Sequence, residues 1–157
     1  MTSTAHTLVA GAIASKFVDP ATAAGLAFVA HYIMDSVPHW DWGTNWRTRP
    51  KRITAVLAVS ETIFGIGITW YLFAAGTIPT TLAVTIAASL LPDWLETPWY
   101  IFFARQKKTE PAARASIWET LSYRIYKYQN FFHTKAQFPI GLLTQVVTVA
   151  FFVVALQ

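Results

Sequence analysis

Cysteine is absent from the 157 residues. That excludes disulfide bonds, thiolate metal sites and a cysteine nucleophile. Charge is scarce as well: 13% of residues are Asp, Glu, Lys or Arg, against about 25% in soluble domains. With 54% hydrophobic residues and a mean hydropathy of +0.39, the chain cannot make a solvated exterior, and an integral membrane protein is expected. One domain, residues 1–157, suits this length. The first segment lacks a basic n-region and a following small-residue cleavage site, so no removable signal peptide is read there. No internal repeat and no flexible linker stands out. The net charge of +4 does not point to nucleic acid. The basic residues flank apolar segments, which is the pattern of membrane topology and not of a groove that tracks phosphates.

What is present is a series of apolar segments cut by prolines and basic loops. Residues 3–17 read as a helix of small and apolar residues. Val18-Asp19-Pro20 breaks it, with Asp19 as a cap and Pro20 in the first turn of a second helix, about 20–37. Both are short against the roughly 20 residues needed to cross a bilayer. They form either a tight hairpin that just crosses or a re-entrant pair, and their Ala and Gly residues permit close approach. A basic loop, 43–52, precedes a spanning helix at about 53–75. A second long segment, about 80–104, is interrupted by prolines between Leu91 and Pro98. An aromatic, amphipathic stretch at about 114–131 suits a helix lying at the interface, and a last span covers about 138–156. Ten of the twelve Lys and Arg fall in loops 43–52 and 105–127: Arg47, Arg49, Lys51, Arg52, Arg105, Lys107, Lys108, Arg114, Arg124 and Lys127. The positive-inside rule places both loops in the cytoplasm. The expected fold is all-α: a polytopic membrane helix bundle of about five spans, with a short amino-terminal hairpin and one interfacial helix, in a prokaryotic inner (cytoplasmic) membrane. Tryptophans such as Trp40, Trp42, Trp46, Trp94, Trp99 and Trp118 suit an aromatic belt at that interface.

That topology gathers the polar residues in one layer. In His31-Tyr-Ile-Met-Asp35-Ser-Val-Pro38-His39-Trp-Asp41, His31 and Asp35 share a helix face, because residues four apart lie one above the other. Pro38 ends the helix, so His39 and Asp41 fold back toward the same point. His6 opens the first helix at this end, Glu61 lies low in the third, Asp93 and Glu96 share a face in the fourth, and His133 precedes the last span. All four histidines and five of the eight acids are thus together at the cytoplasmic side. Ionisable groups at membrane depth normally face a protein interior, paired or bound to an ion. Imidazole and carboxylate ligands suit zinc first, with manganese or iron as alternatives, and their number allows one ion or more. Each residue alone also has an ordinary reading, as a capped helix end, helix-break polarity or an interfacial histidine.

Ala5-His6-Thr7, His31-x-x-x-Asp35-x-x-Pro38-His39-x-Asp41 and Leu90-Leu91-Pro92-Asp93 together resemble the YdjM-like inner-membrane family of metal-dependent hydrolases. The resemblance covers the first forty residues well and the rest loosely. It implies a membrane-bound, metal-dependent hydrolase. The His-x-x-x-Asp-x-x-Pro-His element alone also resembles the zinc-dependent phospholipase C and P1 nuclease group, where such a helix supplies zinc ligands. This chain has two residues fewer between aspartate and second histidine and no clear second His-x-x-x-Glu helix.

The leading expectation is a membrane-embedded hydrolase acting on a phosphate ester or lipid head group at the cytoplasmic face. Its metal ligands are His6, His31, Asp35, His39, Asp41, Asp93 and His133. Glu96 is the expected general base, and Glu61 supports it from a second shell or as a bridge. Arg47, Arg49 and Arg52 either hold the phosphate or simply set topology. Membrane lipids are the expected partners. Two rivals stand beside it: a metal-transport or metal-handling protein, and a non-catalytic scaffold with a structural metal.

Overall fold

The apolar segments fold into six α-helices, with no strand among the residues described by the computed structural model, which are 1–42, 49–104 and 110–156. Arg47, Trp46, Arg105, Lys107 and Lys108 lie outside those residues. Helix α1 is Ser3–Lys16, started by the Thr2 side chain accepting from the Ala5 amide. Helix α2, Pro20–Ser36, has the expected start: Asp19 accepts from the Thr22 amide at 2.8 Å, with Pro20 in the first turn. It ends two residues before Pro38, whose ring excludes the helical conformation from the residue before it.

Helix α3, Lys51–Phe73, runs into a 3-10 turn at Ala74–Gly76. Helix α4 is Pro79–Pro98, α5 is Ile117–Phe132 and α6 is Ile140–Ala155. The interruption expected at residues 91–98 does not occur: α4 runs straight through Pro92, and the helical path changes only after Pro98, as a π-helical turn at Trp99–Phe103. Pro92 is buried against the bundle. A proline is tolerated inside a helix where neighbouring elements support the opened turn; Pro92 lacks the amide that would bond the Ala88 carbonyl, and beside it His31 approaches the Ser89 carbonyl.

Helix α1 is the hub, packed against α2, α3, α4 and α6. It is buried on nearly all sides because its residues are small. Gly11 lets Phe73 and Thr69 approach: a Cβ there would meet their side chains at 2.5 and 2.7 Å. Gly65 of α3 does the same for α1, since a Cβ would stand 2.8 Å from the Thr4 Cα. Between α1, α2 and α4 lies the apolar core, with Val9, Ile13, Ala27, Met34, Leu82 and Ile86.

Among the described residues, one helix, Lys51–Gly76, is long and apolar enough to cross a membrane, with a mean hydropathy of 1.6. Ile140–Ala155 is apolar but shorter. The outward sides of α3 and α6 are apolar, as at Val56, Ile63, Phe64 and Val154. Trp99 departs from the expected aromatic belt. It is fully buried, with its ring 4.9 Å from Tyr123 and 5.9 Å from Tyr126, and pins α5 to the end of α4.

Candidate metal centre

Five segments bring their polar residues to one place. Helix α1 contributes His6, and the last turns of α2 contribute His31 and Asp35 on one face. After Pro38 the chain turns back and zips against the segment that follows α5. The His39 amide donates to the Thr134 carbonyl (3.1 Å), the Ala136 amide donates to the His39 carbonyl (2.7 Å), and the Thr134 amide donates to the Asp35 carbonyl (2.9 Å). The short parallel bridge between His39 and Lys135 is the result. It sets His39 beside His133 and satisfies a carbonyl left over at the end of α2. Gly141, at the start of α6, completes the support: a Cβ there would stand 2.6 Å from the Trp40 amide nitrogen.

Asp35 is the centre. Its Oδ1 lies 3.1 Å from His6 Nε2 and 3.7 Å from His39 Nε2. Its Oδ2 lies 3.4 Å from His31 Nε2 and 3.5 Å from His133 Nδ1. The Met1 amino group also contacts Oδ1. Asp93 Oδ1 stands 3.8 Å from His31 Nε2. Asp41 Oδ2 accepts from His133 Nε2 at 2.7 Å and lies 3.5 Å from His39 Nε2. Two ligand groups result, His6 with His31 and Asp93, and Asp35 with His39 and His133. Within each, one ligand atom per residue lies within 4.8 Å of the others.

Proton bookkeeping shows how this cluster could hold a cation. A carbonyl oxygen can only accept, so His31 Nδ1, 2.7 Å from the Ser89 carbonyl, carries the proton. In the neutral ring, Nε2 then points a lone pair at two carboxylates. His39 repeats the arrangement, with Nδ1 2.8 Å from the Val37 carbonyl and Nε2 facing Asp35, Asp41 and His133. Burial lowers the His39 pKa below its ordinary value, which keeps that lone pair available. Burial pushes the Asp41 carboxyl up, but the hydrogen bond that it accepts from His133 outweighs this and holds the group ionised, well below the usual carboxylate range. Lone pairs converging out of water are stabilised by positive charge, part of which the Met1 ammonium already supplies at Asp35. Fixing the distal ring nitrogen on a carbonyl is also how proteins orient histidine ligands.

The spacing agrees with that reading. Ligands about 2.0–2.1 Å from a tetrahedral zinc lie roughly 3.3–3.4 Å from one another. The contacts of Asp35 run from 3.1 Å (His6) through 3.4 Å (His31) and 3.5 Å (His133) to 3.7 Å (His39), and His31 lies 3.8 Å from Asp93, so the distances bracket that value. His6, His31 and His39 are at most 1% exposed, so bulk water does not compete for these atoms.

The cluster forms one wall of a cavity of about 420 Å³ between α3 and α4. Asp41, Asp93 and His133 reach it, as does Glu96, which is hydrogen-bonded to Tyr100. Glu61 also borders the cavity, but its carboxylate is engaged elsewhere. Its two oxygens accept from the Ser3 and Thr4 amides at 2.8 and 2.7 Å, capping the amino terminus of α1. The geometry therefore gives Glu61 the task of holding the helix that carries His6 rather than that of a bridge. Of the basic residues expected near phosphate, Arg52 lines the cavity and Arg49 contacts the Trp42 carbonyl. The sequence reading missed Ser89, Tyr100 and Lys51. Ser89 acts through its backbone, which no side-chain pattern reveals, although its place one turn before Pro92 is a signal.

No family model, no curated protein and no solved structure matches this chain.

Proposed function

We propose that this chain is a membrane-embedded, metal-dependent hydrolase of the YdjM-like kind, acting on a phosphate ester or lipid head group at the cytoplasmic face. The observation that carries the reading is a buried histidine and aspartate cluster opening on one side into a cavity. A structural site would be closed by its ligands, whereas a catalytic one keeps an open position. Two divalent ions, zinc in the first instance, are proposed. His6, His31 and Asp93 would hold one, His39 and His133 the other, and Asp35 stands between them. Such ions supply Lewis acidity and a nucleophile at neutral pH. Glu96, at the cavity and steadied by Tyr100, is the proposed general base. Asp41 orients His133, and Ser89 and Val37 fix the tautomers of His31 and His39.

The proposed setting is a five-span bundle with the cluster near the cytoplasmic surface. Support comes from the basic loops, the apolar outer faces of α3 and α6, and the gathering of ligands at a single end of the helices. Transport is less well supported, because the polar side chains in the other half of the helices, such as Thr69, Thr81 and Thr85, are uncharged hydroxyls.

The test is release of 4-nitrophenol from 4-nitrophenyl phosphate and its diester by detergent-purified protein with added zinc or manganese. Asp35→Ala should lose at least about a hundredfold in rate with unchanged helicity. Glu96→Gln should lose about 10²–10⁴-fold while keeping its metal. Full activity in Asp35→Ala would reject the reading.

A further inference from the structure

The cavity beside the cluster has walls that do not suit a water-soluble substrate. On α3 it is lined by Ala55, Ala58 and Val59, and on the α4 side by Trp94 and Ile101. These are apolar, and Ala55, Ala58 and Val59 are themselves exposed. Helix α3 packs on α1 and barely meets α4, so the gap between α3 and α4 opens sideways. The chain neighbours of these lining residues, Val56 beside Ala55 and Phe102 beside Ile101, are apolar and exposed at 63% and 70%. A portal with an apolar frame faces hydrocarbon more readily than water.

Charged groups line the cavity on two sides, with the hydroxyls of Thr54, Thr62 and Thr97 and the amide-bonded Glu61 between them. At the floor stand Asp41, Asp93, Glu96 and His133. At the mouth, on the first turn of α3, are Lys51 and Arg52. Lys51 donates to the Ile101 carbonyl at 3.1 Å, across the gap. Neither has a carboxylate partner among the described residues. A volume of about 420 Å³ lies at the small end of ligand pockets. It admits a head group and the adjoining part of a chain, and the rest of the chain must leave through the gap.

We infer that the substrate is a phosphate-bearing amphiphile that enters sideways between α3 and α4. Its anionic head lies between the cluster and the Lys51–Arg52 pair, and its tail trails past Ala55, Ala58 and Val59 into the bilayer. This rests on the hydrolase reading for what happens to the head group. Lys51 and Arg52 are positioning and specificity residues, placed to hold the phosphate by charge-assisted hydrogen bonds.

The probe is a phosphatidic acid with a photoactivatable diazirine in its acyl chain, carried in phosphatidylcholine vesicles holding the full chain. Cross-links should map to residues 54–62 and 94–101. Unlabelled phosphatidic acid should compete, and inorganic phosphate at the same concentration should not. Lys51→Gln with Arg52→Gln should cut the yield about tenfold, the effect of one lost charge-assisted contact. Ala58→Trp, which puts an indole in the portal from an exposed position, should cut it by a similar factor at unchanged helicity and metal content. Ala55→Leu is the milder plug should the indole prevent folding. Cross-links spread evenly over α5 and α6, or full competition by inorganic phosphate, would overturn the inference. Hydrolysis of the soluble 4-nitrophenyl esters is read separately. Portal cross-linking without hydrolysis supports the amphiphile site and rejects the hydrolase, and hydrolysis without portal cross-linking rejects the amphiphile site alone.

Discussion

At Asp35 each carboxylate oxygen faces two imidazole nitrogens, those of His6, His31 and His39 out of bulk water. The Met1 ammonium contacts Oδ1 and His6 lies within hydrogen-bond distance of it, while the Nδ1 protons of His31 and His39 are committed to carbonyls; their remaining lone pairs could hold a metal cation. Glu61 is a different case. It looks like part of the cluster in the sequence, an acid at the right depth, yet both its oxygens bond α1 amides. Glu61→Ala should therefore cost about 1–3 kcal/mol of stability, the worth of hydrogen bonds to a charged acceptor. Thermal unfolding checks this, and the metal content per folded molecule should stay unchanged. A lost ion at unchanged unfolding temperature would instead place Glu61 among the ligands.

Among the elements, α1 and α3 depend on glycine where they cross. Gly65→Ala would drive a methyl group to 2.8 Å from the Thr4 Cα, and overpacking of this kind costs about 1–3 kcal/mol. Gly67, two residues on, has open space around it, so Gly67→Ala should be neutral or stabilise by up to about 1 kcal/mol through helix propensity. The pair, compared in one unfolding assay, separates close approach from propensity. Gly141→Ala should press on the His39–Trp40 backbone and weaken metal binding by about 10–100-fold, as disturbed support of a ligand does; a metal titration measures it. Much of this was legible in the sequence. Asp19 and Pro20 announced the start of α2, Pro38 its end, and the four-residue spacing of His31 and Asp35 their common face. Pro92 misled, because whether a proline breaks a helix depends on donors from other elements. The bridge at His39 and Lys135 was equally out of reach, being a pairing of backbones about a hundred residues apart. Trp99 shows the same limit, since a tryptophan near an expected interface reads as belt whether it faces lipid or tyrosines.

For the molecule as a whole, candidate ligands from five segments converge at one end of the helices, while the cytoplasmic layer that the distribution of lysine and arginine predicted is a matter of topology. Among the described residues one helix passes on length and apolarity, so the number of crossings calls for a direct test. The chain's lack of cysteine makes one simple. Gly76→Cys, in the turn between α3 and α4, and Arg114→Cys, before α5, are both exposed positions. In sealed inverted vesicles an impermeant maleimide should label Arg114→Cys, and label Gly76→Cys only after detergent is added. Equal labelling of both before detergent would contradict the five-span arrangement.

The account stands on the cluster around Asp35, and elemental analysis of the purified protein tests it most directly. Wild type, prepared without chelator and dialysed after metal is added back, should retain about two equivalents of a divalent transition metal. Asp35→Asn, which keeps the shape of the side chain and removes its charge, should retain none at the same helical content. A metal-free wild type, or an Asp35→Asn protein loaded as fully as wild type, would contradict it.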